Sequence, residues 1–144
     1  MQTVELNHDY AASPDALWET ATDWASVQAA MRGLVRFHGL PDAPLETGQV
    51  IKSEFSLFGF FPRSPWVMEV LEYDPGRRVL RSFEHGGPVK AWRHNLHVFP
   101  NEGGARLSET IEVDAGAMTP LYAAWAGFMY RWRHGRRKAM LARR

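Results

Sequence analysis

Glu109 and His94 are the two side chains in this chain best placed to move a proton together. Read with the period of two that a strand imposes, the segment Ala105 to Asp114 sorts into two faces. Ala105, Leu107, Glu109, Ile111 and Val113 share one, and Arg106, Ser108, Thr110, Glu112 and Asp114 the other. One carboxyl group thus sits in an aliphatic row, on the face that turns inward. The preceding segment has a matching inner set, Trp92, His94, Leu96 and Val98, with Arg93, Asn95 and His97 outward. If Phe99 faces Gly104 across a four-residue loop, Val98 opposes Ala105 and His94 opposes Glu109. Directly opposed side chains lie about 4.5–5.5 Å apart at Cβ. Burial raises a carboxyl pKa and a charged imidazole lowers it. The pair suits general acid–base chemistry or a hydrogen bond to a ligand's polar group. It also suits a satisfied polar contact with no turnover.

Other chemistries fail on spacing. His94 and His97 are three apart on a strand and face opposite sides, so they cannot share a metal. No nucleophile elbow of the G-x-S-x-G type and no phosphate loop of the G-x-x-x-x-G-K type occurs. With no cysteine, disulfides, thiolate catalysis and cysteine-ligated zinc are excluded. We expect no metal and no cofactor. Gly86-Gly87 and Gly103-Gly104 read as hairpin turns. Arg131, Trp132 and Arg133 mix aromatic and basic character, but helical spacing sends Trp132 toward the core and the arginines outward. Nucleic acid is therefore not an expected partner.

Several elements must hold the pair in place. Gln2 to Tyr10 alternates as a strand, with Val4 and Leu6 on one face. Ser13-Pro14-Asp15 starts a helix with a hydroxyl cap, a first-turn proline and an early acid. Leu17, Trp18 and Ala21 give that helix its apolar stripe. Asp23 caps a second short helix carrying Trp24, Val27 and Met31, which Gly33 ends. The period then changes to two. Strands are expected over Leu34 to Leu40, Gln49 to Phe58, Pro65 to Tyr73, Val79 to Glu84, Val89 to Phe99 and Ala105 to Asp114. A helix from Ala117 to about Arg143 follows, with Leu121, Trp125, Phe128, Met129 and Trp132 as its buried face. Its opposite side, with Ala123, Ala126 and Tyr130, is apolar enough for a dimer or membrane-surface contact, so the chain is expected as a monomer or homodimer. The uncharged run from Ala115 to Tyr130 is 16 residues long, short of the roughly 20 that a membrane span needs.

Composition fits one domain spanning 1–144, with 45% apolar and 23% charged residues. The absence of cysteine and of a basic-then-apolar leader after Met1 makes the cytoplasm the expected location. Charge is uneven. The 16 acids and 10 of the 17 basic residues precede position 131; Arg131, Arg133, Arg136, Arg137, Lys138, Arg143 and Arg144 follow with no acid. These cations complement a helix C-terminus and stay solvated, or they contact an anionic partner.

The order strand, two helices, about six strands, long helix is the helix-grip order, an α+β fold. A long helix laid across one curved antiparallel sheet leaves a cavity between them. The chain resembles the START-related SRPBCC superfamily, which includes polyketide cyclases/dehydratases and lipid-transfer domains. The resemblance rests on element order and on Ser13-Pro14-x-x-Leu17-Trp18, Asp23-Trp24, Tyr73-Asp74-Pro75-Gly76-Arg77 and Gly103-Gly104-Ala105-Arg106-Leu107. A bacterial subgroup has a tryptophan, a histidine two on, and an acid on the next strand; Trp92, His94 and Glu109 match it. That subgroup often has a second histidine two further on, where this chain has Leu96.

The resemblance implies an apolar small molecule, lipid-, polyketide- or aromatic-like, in the cavity. Trp92, Leu96, Leu107, Ile111 and Trp125 are expected to wall it, together with Phe128, Met129, Trp132, Phe55 and Leu57. The run Phe55 to Pro62 either caps one end of the sheet or forms a lid or lipid-touching tip. Two other functions fit the sequence. One is a cyclase or dehydratase using His94 and Glu109. The other is a membrane-surface or protein-interaction module using the basic tail.

Overall fold

The computed structural model describes residues 1–142. Strand β1 (Gln2–Tyr10) leads into α1 (Pro14–Thr22) and α2 (Trp24–Ala30). Strands β2 (Val35–His38), β3 (Val50–Leu57), β4 (Ser64–Asp74), β5 (Val79–Gly86), β6 (Val89–Asn101) and β7 (Gly104–Asp114) follow. A single 3-10 turn then opens α3 (Thr119–Ala142). Arg143 and Arg144 of the expected helix end and basic tail lie outside the described residues. All seven strands form one antiparallel sheet in the order β1-β7-β6-β5-β4-β3-β2. This is the helix-grip architecture.

Local chemistry sets the helix starts. Ser13 Oγ accepts the Ala16 N–H at 3.1 Å, and Asp23 Oδ2 accepts the Ser26 N–H at 3.0 Å. Each satisfies a donor that the first turn leaves free.

The β6–β7 register differs from the expected one. Asn101 pairs with Gly104, so the turn holds only Glu102 and Gly103, and His94 opposes Ile111 instead of Glu109. Gly103, at φ 92, lies in the left-handed region that favours glycine. The slip is two residues, so every side chain keeps its face. Trp92, His94, Leu96 and Val98 are all buried, as are Ala105, Leu107, Glu109, Ile111 and Val113.

The inward face of α3 also needs correcting. Thr119, Ala123, Ala126, Gly127, Tyr130, Arg133 and Arg137 are buried, whereas Leu121 is 61% and Phe128 49% exposed. Trp125, Met129 and Trp132 sit half-buried on the flank, packed toward Val27, Met31, Leu34 and Val35. The physical reason is distance. α3 packs against β1 and β7, where the small residues Ala123, Ala126 and Gly127 permit close approach. The side expected to form an outer contact surface, with Ala123, Ala126 and Tyr130, is the inner one. No helix among the described residues is long and apolar enough to cross a membrane.

Gly104 marks a second close approach. A methyl group there would run into the Tyr10 carbonyl and lie 2.9 Å from the Ala12 nitrogen, both backbone atoms with little room to give. Gly104→Ala is expected to lower stability by about 2 kcal/mol, seen as a lower urea midpoint at unchanged m-value; an unchanged midpoint would refute the crowding.

Candidate functional site

Because α3 leans on the β1–β7 side, it stands away from β3, β4 and β5. The gap is a cavity of about 620 Å³. Its walls are Val35 and Phe37 of β2, Phe55 and Leu57 of β3, Trp66 of β4, Glu84 of β5 and Trp92 of β6. Met31 closes one side, and α3 contributes Leu121, Trp125, Met129, Tyr130 and Arg133. A second, inner cavity of about 80 Å³ lies beyond; Phe37, Trp66, Glu84, Tyr130 and Arg133 line both. His94 and Leu96 face only the inner one. Aromatic rings gather at the outer end. Phe58, Phe60 and Phe61 on the β3–β4 turn are 45%, 78% and 47% exposed, and the Phe58 ring lies 6.4 Å from that of Trp125. Phe61 and Pro62 line the large cavity.

Of the residues read from the sequence, Trp92, Trp125, Met129, Phe55 and Leu57 line the large cavity, and Leu96 the small one. Leu107 and Ile111, both 0% exposed, lie in packed core and line neither. Phe128 points outward, and Trp132 packs beside α2 with Arg136 5.2 Å above its ring. Leu107 and Ile111 are walled off because β7 lies where α3 and α1 pack down onto the sheet.

His94 and Glu109 meet despite the altered register. They are diagonal on neighbouring strands, and their long side chains close the gap, with His94 Nε2 and Glu109 Oε2 2.6 Å apart. Glu109 is 2% exposed and lines neither cavity. Burial pushes its pKa up, but the hydrogen bond and charge of His94 and the charges of Arg137 and Arg133 prevail and hold it at about 2. An ionised carboxylate only accepts, so His94 Nε2 carries the proton and donates. Its Nδ1 is the nitrogen left for whatever fills the inner cavity.

Two arginines expected at the surface lie inside. Arg137 is 1% exposed and Arg133 8%. Arg137 reaches the Tyr10 hydroxyl at 3.5 Å, but its Nε and Nη2 have no hydrogen-bond partner among the described residues. Nearby, the His8 and His134 rings stack at 3.9 Å, and His134 Nδ1 lies 2.7 Å from the Tyr10 hydroxyl. Burial, then the neighbouring charges of His8 and Arg137, push His134 down to about 4. The charged tail is therefore partly an interior feature.

Glu84, Trp66, Tyr130 and Arg133 escaped the sequence reading. Glu84 had a usable signal, since it shares parity with Leu80 and Ser82, both buried. Trp66 likewise shares parity with Val70. Glu84 takes the Trp66 indole N–H on Oε1 and the Ser82 hydroxyl on Oε2, each at 2.9 Å. Burial raises the Tyr130 pKa, keeping its hydroxyl neutral.

Because the folded pKa of Glu109 lies below its ordinary 4.5, the stability it contributes is present above about 4.5 and is lost as pH falls through about 2. Glu109→Gln is expected to cost about 3 kcal/mol at neutral pH, since it strands buried cations. It should also flatten the acid limb of stability between those two values. Urea unfolding at a series of pH values checks this, and an acid limb unchanged by the substitution would contradict it.

The model of a family described as "Domain of unknown function (DUF8410)" matches residues 8–141. No curated protein matches the chain. Among solved structures, a Rhodobacter sphaeroides protein aligns over 99% of this chain and 93% of its own, at 18% identity and TM-score 0.78. A Chromobacterium violaceum protein covers 98% of each chain at 19% identity and TM-score 0.75. Ara h 8.0201 covers 99% of each at 8% identity and TM-score 0.77. At such identities the likeness is one of fold.

Proposed function

This chain belongs to the DUF8410 family, and we propose that it binds an apolar small molecule in the hollow between α3 and β2–β6. Kinship with the START-related SRPBCC superfamily and a cytoplasmic location are parts of the same proposal. The observation that carries it is the size and lining of the large cavity. Small-molecule sites run to about 300–1,000 Å³ with mostly apolar and aromatic walls, and this one, at about 620 Å³, has Phe37, Phe55, Trp66, Trp92 and Trp125 around it. Water alone would be a poor occupant of so apolar a space.

A cyclase or dehydratase reading has one observation in its favour, the buried His94–Glu109 contact. In that reading His94 Nδ1 exchanges the proton and Glu109 holds the imidazole. Space argues against it. The cavity His94 faces is about 80 Å³, far smaller than the aromatic-lined one of about 620 Å³. Binding without turnover is therefore the function proposed. A contact made through the basic tail is the weaker alternative, since Arg133 and Arg137 are buried.

The test uses a neutral fluorescent guest, N-phenyl-naphthylamine, and the Trp125→Glu variant. The wild-type protein should bind it saturably, with displacement by other apolar compounds. Trp125→Glu places a charge in the apolar wall and should weaken binding by about tenfold or more, with the fold intact by circular dichroism. Equal binding by both proteins would overturn the cavity assignment.

A further inference from the structure

The large cavity is apolar toward its outer end and charged at its inner one. Phe61 and Leu121, both exposed, lie at the outer end. Twelve residues along α3 from Leu121, about 18 Å at the helical rise, Arg133 forms part of the wall shared with the inner cavity. Its guanidinium lies 5.0 Å from the Tyr130 ring centroid. Among the described residues it has no carboxylate within ion-pair distance, and its buried Nε has no hydrogen-bond partner.

The neighbouring carboxylates take other protein donors. Both Glu84 oxygens take protein donors, from Trp66 and Ser82. Glu109 Oε2 accepts the His94 Nε2–H. A buried guanidinium with free donors is costly unless something supplies acceptors, and a carboxylate does so with matching two-pronged geometry. Glu84 on the same wall repels a second negative charge, which favours a monoanion over a phosphate dianion.

We infer that the cavity takes an amphipathic monocarboxylic acid, its apolar body lying along Leu57, Trp92 and Trp125 and its carboxylate on Arg133. This rests on the small-molecule reading above and adds the chemical class of the ligand. Arg133 is the residue that sets specificity, choosing the acid over a neutral analogue of the same shape.

The experiment titrates the full chain with dansyl-undecanoic acid and, separately, with its methyl ester, at neutral pH, following dansyl emission. The wild-type protein should bind the acid about tenfold more tightly than the ester. Arg133→Met, which keeps length and removes charge, should bring the two affinities together while leaving the ester's within about twofold. Arg133→Lys should keep most of the preference. Ester and acid binding equally in the wild type would overturn the inference while leaving the cavity reading in place, and that comparison needs no variant. A preference for the acid that survives in Arg133→Met would also overturn it. If the wild type bound neither probe, the cavity reading itself would fall, and the ligand class with it.

Discussion

α3 comes down on the β1–β7 side of the sheet along a face whose first turns offer almost no side chain, at Ala123, Ala126 and Gly127. That close seam fixes the rest. Held against one side of a curved sheet, a straight helix must stand clear of the other, and the clearance is the cavity under β2–β6. The large side chains beside the seam, Trp125 and Met129 among them, become flanking wall. A bulky residue at Ala126, 0% exposed, would lift the helix and change the hollow's shape before it touched any occupant.

The same seam carries buried charge. Glu109 on β7 faces His94, with Arg133 and Arg137 arriving from α3 one turn apart. Taking such groups out of water is expensive, and their mutual attraction offsets the cost only where the geometry is good. His94 meets that condition at 2.6 Å. Arg137 meets it less well, with a hydrogen bond at 3.5 Å and two nitrogens unpartnered among the described residues. Glu109 accordingly works as the counter-charge of the interior, set behind the cavity wall, and His94 is the member of the pair that faces open space.

Strand parity was the most legible signal in the sequence. It placed Glu109 among buried aliphatics and His94 beside Trp92, and a two-residue register slip left those faces untouched. The caps at Ser13 and Asp23 were equally readable, because the side chain and the helix start it satisfies are neighbours in sequence. α3 misled for a reason that composition cannot supply. Both its sides are apolar, so periodicity offered two candidate stripes, and the choice between Leu121–Phe128 and Ala123–Ala126 depends on how closely the sheet approaches. Arg133 and Arg137 were hidden for the same reason. A basic run at a chain end reads as solvated unless the turn that buries it, and the carboxylate it faces, are both known.

Methyl groups offer the most direct measurement. The chain has six methionines; Met31 and Met129 line the large cavity, Met68 lines the inner one, and Met118 and Met140 line neither. NMR spectra of methyl-labelled methionine, recorded during titration with a neutral apolar guest, report occupancy at each place separately. Saturable shifts at Met31 and Met129, with Met118 and Met140 unmoved, are the predicted result. Shifts confined to Met118 and Met140, or no saturable change at Met31 and Met129, would contradict a hollow that admits a guest.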